Sequence, residues 1–132
     1  MEAKVSKKIM KKLLLLIFIF TSFSAFSVEK KTNFSTEIFE SAKANGRTIV
    51  INSYETWCGT CNIQVKILNQ AEKEFKDIVF FSYEQSKNKD IAKKLAIDFW
   101  TTIVVYKGND EIVRIIGQTD KKTIYSAIKK GI

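Results

Sequence analysis

Residues 57–61 read Trp57-Cys58-Gly59-Thr60-Cys61, and they contain both cysteines of this 132-residue chain. An apolar, β-branched run at 48–51 precedes them, and a stretch with helical periodicity follows. Two thiols three positions apart at the start of a helix can form a disulfide without moving the backbone. Amide dipoles at that end of a helix favour the thiolate of the first cysteine, which is its reactive form. The pattern therefore favours a redox pair.

A structural role for the two cysteines is less well supported. There is no third cysteine to build a disulfide framework, and a bridge across so short a loop removes little entropy from the unfolded chain. Structural zinc takes four ligands, whereas this chain has two cysteines and no histidine. A metal or iron–sulfur site would therefore need Cys58 and Cys61 from each of two chains, and this stays open as an alternative.

The N-terminal residues predict export. Residues 1–12 carry five lysines, 13–20 are all apolar, and the small residues Ala25 and Ser27 follow. This is the pattern of a secretory signal over 1–27, cleaved after Ser27, with a single domain over 28–132. The alternative is an uncleaved membrane anchor, although the apolar run is short of the roughly 20 residues of a span. Export to the periplasm or cell envelope would place the cysteines where a disulfide persists.

The charge of the chain does not indicate a nucleic-acid partner. The full chain carries +8, but removing the five lysines and one glutamate of residues 1–27 leaves 17 basic and 13 acidic residues. The remaining lysines are scattered along the sequence, which is typical of a solvated face, with docking of an acidic partner as the alternative.

The periodicity after residue 33 predicts the order αβαβαββα in one domain without repeats. The predicted elements are a helix over 34–44, a strand over 48–51, a long helix from Cys58 onward, a strand over 78–81, a helix over 88–96, strands over 102–106 and 111–116, and a final helix capped by Thr119 or Asp120. The side chains predicted to face the core include Ile38, Ile63, Ile67, Ala96, Phe99 and Ile124. Strands alternating with helices and ending in a hairpin predict an α/β fold, a mixed sheet with helices on both faces.

From about Phe34 to the end, the chain resembles the thioredoxin superfamily. Residues 57–61 are similar to its Trp-Cys-Gly-Pro-Cys motif, 103–108 to the strand and turn after its cis-proline loop, and 114–117 to its last strand. The resemblance implies a thiol–disulfide oxidoreductase of the bacterial cell envelope that acts on protein thiols and disulfides without a cofactor. It further implies a monomer, with a membrane protein as a possible electron donor.

The resemblance also implies roles for individual residues. Cys58 would be the exposed attacking thiolate, and Cys61, one helical turn deeper, would resolve the mixed disulfide. Gly59 and Thr60 would form the spacer. A groove for an extended partner peptide would be lined by Trp57, Trp100, Thr101, Ile116 and Gly117.

Thr101 aligns with the active-site cis-proline of the family, and the chain contains no proline. A cis bond before a non-proline residue costs about 2.5–4 kcal/mol, so we expect the Trp100–Thr101 bond to be trans. Threonine adds an N–H and a hydroxyl, and we hypothesise that one of them donates a hydrogen bond to the Cys58 thiolate and lowers its pKa. The alternative is that Thr101 only accommodates the loop.

Two further departures concern proton transfer and redox direction. Asn52 aligns with the buried aspartate of the family, and an amide cannot accept the proton of the resolving thiol. Water or Glu55 would take that proton, or the step would be slow; alternatively, Asn52 is simply a hydrogen-bonded strand residue.

The absence of histidine from the spacer favours a reductase or mild exchanger over a strong oxidase. A binding module on the same scaffold is the last alternative, and it would tolerate serine at both cysteines.

Overall fold

The computed structural model describes residues 31–132. The predicted signal segment over 1–27 therefore lies outside the described residues. Eight elements follow in the predicted order: α1 (Thr36–Ala44), β1 (Thr48–Tyr54), α2 (Gly59–Glu74), β2 (Val79–Glu84), α3 (Lys89–Lys94), β3 (Thr102–Lys107), β4 (Asp110–Ile116) and α4 (Lys121–Lys129). Asp120 caps α4, since its side chain accepts a hydrogen bond from the Thr123 amide.

The four strands form one mixed sheet in the order β2-β1-β3-β4. Strand β1 pairs parallel to β2 and antiparallel to β3, and β3 pairs antiparallel to β4. The prediction of a mixed α/β sheet is confirmed. Since β1 is central, its C-terminal end carries the cysteine segment to the middle of one sheet edge.

Two separate cores lie on the two faces of the sheet. On one face, Phe39 of α1 and Ala92 of α3 pack against Ile51 and Val104. On the other face, Leu68 of α2 and Ile124 of α4 pack against Val50 and Ile103. Strands buried on both faces read as continuous apolar runs, which is the pattern at 48–51 and 102–106. The expectation of helices on both faces is thus confirmed.

Residues 32–33 cover the outer edge of β2. The Asn33 amide donates to the Ser82 carbonyl at 3.0 Å, the Ser82 amide donates to Asn33 Oδ1 at 2.7 Å, and the Glu84 amide donates to Thr32 Oγ1 at 3.0 Å. These hydrogen bonds satisfy backbone groups that an edge strand would otherwise leave unpaired.

In residues 31–132, no helix is long and apolar enough to cross a bilayer.

The predicted inner face of α2 is wrong at Ile63, which is 47% exposed. Cys61 is fully buried and sets the rotation of the helix, so residues three and four positions further, Gln64 and Val65, share its face. Ile63 is about 200° around the helix from Cys61 and faces outward. Ile38 of α1 is likewise 55% exposed.

Two other core assignments fail where α3 ends. The helix stops at Lys94, two residues earlier than predicted, and Ala96 is exposed with φ of +50°. A left-handed residue just after a helix allows the next amides to cap it, and the Ile97 amide donates to the Ala92 carbonyl at 2.9 Å. The turn buries Ile97 and leaves Phe99 60% exposed.

Candidate active site

Cys58 and Cys61 form a disulfide, with their Cα atoms 5.3 Å apart. Cys58 is the N-cap of α2, in extended conformation, and its Sγ accepts a hydrogen bond from the Cys61 amide at 3.1 Å. Gly59 and Thr60 occupy the first turn, which contains no acidic residue. An amide aimed at Sγ from a helix N-terminus stabilises a thiolate at Cys58 once the bridge is reduced.

The two cysteines differ in burial, although less than the sequence predicts. Cys58 is 6% exposed and Cys61 is fully buried, both against the buried side chain of Tyr54. The expectation of an exposed Cys58 is therefore wrong in the disulfide form, in which both cysteines pack with Tyr54. The order of depth still matches the predicted roles: the attacking residue is the outer one.

Exposed apolar side chains lie on the segments that meet at the cysteine end of the sheet. Trp57 is 70% exposed, as expected for a residue that contacts partners, and its ring meets that of Trp100 edge to face at 5.3 Å between centroids. Ile116 and Trp100 are 50% and 41% exposed, and Gly117 continues the surface. We call Trp57, Trp100 and Ile116 the apolar rim. Exposed apolar groups of this size mark a site that contacts other molecules.

The loop before β3 brings Thr101 beside this surface, in a conformation that is rare for threonine. Among residues 31–132 there is no cis peptide bond, so the Trp100–Thr101 bond is trans as expected. Thr101 instead has φ of +63°. A β-branched residue in the left-handed region is a true outlier and costs about 1–3 kcal/mol unless its surroundings impose it.

The hydrogen bonds of Thr101 correct the hypothesis about the Cys58 thiolate. The Thr101 amide donates to the Ser53 carbonyl at 2.9 Å, where it continues the β1–β3 pairing. This N–H is already used, so the part of the hypothesis that sends it to Cys58 is wrong. The part that concerns the Thr101 hydroxyl stays a prediction.

Gln64, which sequence reasoning missed, lies at the centre of a buried network below the disulfide. Its side chain is fully buried, and Nε2 donates to the carbonyls of Thr101 at 3.0 Å and Gln118 at 2.9 Å. Its Oε1 accepts from Asn52 Nδ2 at 3.3 Å. A glutamine three positions after the second cysteine, on the buried face of α2, was the available signal.

Asn52 is a hydrogen-bonded strand residue, as one of the two sequence interpretations held. Gln64 uses both of its N–H groups on carbonyls, so its oxygen must face Asn52 Nδ2. This leaves Asn52 Oδ1 buried without a hydrogen-bond partner in the described structure. The network thus gives the Thr101 and Gln118 carbonyls a hydrogen-bond donor and leaves Asn52 Oδ1 without one.

The carboxylate of Glu55 is buried and bound to the loop after β2. It accepts hydrogen bonds from the Ser86 amide at 2.7 Å and the Ser86 hydroxyl at 3.0 Å, and the Glu55 carbonyl accepts from the Cys58 amide at 3.3 Å. These bonds fix the entry to the cysteine loop. A role for Glu55 as proton acceptor stays a prediction.

Comparison with known proteins decides the family. The family model for thioredoxin matches residues 25–130, about four fifths of the chain. The chain belongs to the thioredoxin family. It is 27% identical to Thioredoxin-2 of Saccharomyces cerevisiae over 74% of this chain and 90% of that protein. It is 32% identical to the mitochondrial Thioredoxin-3 of the same yeast, over 80% and 78%.

Solved thioredoxin structures have the same fold. The crystal structure of oxidized mitochondrial thioredoxin 3 from S. cerevisiae superposes with a TM-score of 0.63 at 28% identity, over 78% of this chain and 94% of that one. The crystal structure of Trxlp from Edwardsiella tarda EIB202 gives a TM-score of 0.67 at 22% identity, over 70% and 92%. The latter likeness concerns the fold alone.

Membership of the thioredoxin family establishes the chemistry. The protein is a thiol–disulfide oxidoreductase that acts on protein disulfides through its own dithiol, Cys58 and Cys61, without a cofactor. This assignment favours redox exchange over the metal-site and binding-module alternatives. In residues 31–132, no three His, Cys, Asp or Glu side chains gather as a metal site, and a site shared between two chains is a separate hypothesis.

Proposed function

We propose that this thioredoxin is a reductase or mild exchanger of protein disulfides in the bacterial cell envelope, where it receives electrons from a membrane donor. Cys58 attacks a partner disulfide as the thiolate, breaking the partner's S–S bond and forming a mixed disulfide, while the first partner thiol leaves. Cys61 then attacks Cys58 Sγ, the second partner thiol leaves, and the Cys58–Cys61 bridge forms. Two electrons pass from the dithiol to the partner.

The observation that supports the reducing direction is the uncharged spacer that follows the N-cap thiol. A strong oxidant needs a strongly stabilised reduced form, and hence a strongly stabilised thiolate. Here Cys58 Sγ accepts the Cys61 amide, while Gly59 and Thr60 carry no charge and the chain contains no histidine. The spacer therefore adds no positive charge to the amide dipoles that stabilise the thiolate.

The reducing direction is testable with two opposite assays on the purified protein. We expect the protein to catalyse the reduction of insulin disulfides by dithiothreitol. We expect little catalysis of disulfide formation in reduced ribonuclease A with oxidised glutathione. Faster catalysis of the second reaction than of the first would contradict the reductase assignment.

The location rests on the signal pattern over 1–27, and it has its own test. The mature protein recovered from an envelope fraction should begin at Val28. A chain that retains Met1 and fractionates with the membrane would favour the anchor. Recovery of the intact chain in the cytosol would contradict export, without affecting the redox assignment.

A further inference from the structure

We propose that Gln64 is a positioning residue for disulfide exchange, which holds the Trp100–Thr101 loop in the conformation that receives the partner protein. At the position of Thr101 the family usually has proline, and the proline ring itself restricts the backbone. In this chain the loop carries a trans bond and a left-handed threonine, so its conformation needs an external restraint.

The contacts of Gln64 fit this role. Its Nε2 donates to the Thr101 carbonyl, which also accepts from the Gly117 amide at 3.0 Å. The second Nε2 hydrogen goes to the Gln118 carbonyl, so one side chain joins α2 to the two segments that carry Trp100 and Ile116. Gln64 is also one helical turn from Cys61, which ties the loop to the cysteine helix.

Loss of the Gln64 hydrogen bond would affect the partner-binding surface by changing the position of Trp100. Trp100 precedes Thr101 and packs against Trp57, which precedes Cys58. If the Thr101 carbonyl loses the Gln64 bond, the strained residue relaxes and Trp100 moves relative to Cys58. Exchange with a large protein substrate, which contacts the rim, then suffers more than exchange with a small disulfide, which reaches the sulfur alone.

The test compares two substrates in the Gln64→Met variant of the full chain, which keeps the side-chain length and removes the amide. The pre-reduced protein is mixed with insulin or with 5,5′-dithiobis(2-nitrobenzoate), and single-turnover rates are measured. Gln64→Met removes three hydrogen bonds, of which the one to the Thr101 carbonyl holds the loop. For the loss of that bond we expect the insulin rate to fall about fivefold and the small-disulfide rate to change less than about twofold. Gln70→Met, at an exposed position of the same helix, is the matched control and should change neither rate.

A second background separates positioning from general destabilisation. Glycine adopts positive φ without strain, so in a Thr101→Gly background the loss of the Gln64 bond releases no strain that would move Trp100. Gln64→Met should then slow the insulin reaction less than about twofold relative to Thr101→Gly alone, a non-additivity that marks coupled residues. An equal loss in both backgrounds, or an equal loss with both substrates, would overturn the proposal.

If Gln64→Met does not fold, amide hydrogen exchange of the wild-type protein tests whether the loop is held, which the proposal requires. The amides of Thr101 and Gly117 should exchange on the order of 100-fold more slowly than that of Asn109 in the β3–β4 turn. Exchange of the Thr101 and Gly117 amides as fast as that of Asn109 would show a loop that is not held, and would overturn the proposal.

Discussion

The Cys61 amide donates a hydrogen bond of 3.1 Å to Cys58 Sγ, so the residue that we propose resolves the mixed disulfide also contacts the sulfur that we propose makes the first attack. Both functions follow from the position of Cys58 at the N-cap of α2. Cys61 supplies the amide from the first turn and the second thiol from the buried face.

The asymmetry between the cysteines predicts different products for the two serine variants. Cys61→Ser should attack a partner disulfide but fail to resolve it, so a covalent complex with insulin should accumulate, detected by non-reducing electrophoresis. Cys58→Ser should form no such complex, because Cys61 is fully buried. A complex through Cys61 in Cys58→Ser would reverse the assigned roles.

Thr101→Gly should stabilise the folded protein. It relieves a left-handed threonine, worth about 1–3 kcal/mol, while the extra freedom of glycine in the unfolded chain costs about 0.5–1 kcal/mol. We expect a gain of about 1 kcal/mol in the free energy of unfolding, measured by urea denaturation. Thr119→Gly, at an exposed position before α4, is the control and should not stabilise; a destabilised Thr101→Gly would contradict the strain at this residue.

Arg114 should stabilise the end of α3. Its Nη1 donates to the Ala96 carbonyl at 2.7 Å, its Nη2 donates to the Leu95 carbonyl at 3.1 Å, and it pairs with Glu111 at 2.8 Å. A cation near the last carbonyls of a helix is favourable, so Arg114→Met should lower the free energy of unfolding by about 1–2 kcal/mol. An unchanged urea midpoint would show that this cap contributes nothing.

The same ion pair should make the free energy of unfolding decrease at acid pH. The hydrogen bond from Arg114 holds the pKa of Glu111 below its ordinary 4.5. A carboxyl with a lowered folded pKa stabilises above its unfolded pKa and loses that contribution as pH falls through the folded pKa. Glu111→Gln should therefore reduce the loss of stability below pH 4.5, in urea titrations across that range; an unchanged loss would contradict the pairing.

Tyr83 should make the protein sensitive to alkali. Burial raises its pKa to about 12 from an ordinary 10.0, so the neutral phenol is favoured in the folded state. The contribution is complete below pH 10 and is lost as pH rises toward 12. Tyr83→Phe removes the ionisation, so its stability should fall less between pH 10 and 12 than that of the wild type. An equal decrease in the free energy of unfolding of the two proteins between pH 10 and 12 would contradict a raised pKa for Tyr83.

The sequence predicts the elements and the redox pair because their signals are local. The apolar runs of β1 and β3 and the spacing of Cys58 and Cys61 each lie within a few residues. The errors arise where a distant contact decides. Ile63 faces outward because Cys61 sets the rotation of α2. Helix α3 ends early, and Arg114, 18 residues after Ala96, binds the Leu95 and Ala96 carbonyls just past its end.

The network at the site could not be predicted from local patterns. Gln64 contacts Asn52, Thr101 and Gln118, which are 12, 37 and 54 residues away in sequence. The resemblance located Thr101, but not its positive φ or the hydrogen bond from its amide to the Ser53 carbonyl.

The remaining part of the thiolate hypothesis, the Thr101 hydroxyl, is tested by Thr101→Val, which should raise the Cys58 pKa if the hydroxyl donates to the thiolate.

The reduction potential of the Cys58–Cys61 couple tests the central claim most directly. The protein is equilibrated with glutathione and with dithiothreitol buffers, and the reduced fraction is read by thiol alkylation. We predict a reversible two-electron couple near −270 mV, the thioredoxin range. A value near −120 mV would contradict the reductase assignment and make the protein an oxidant, and the absence of a reversible couple would contradict the redox role itself.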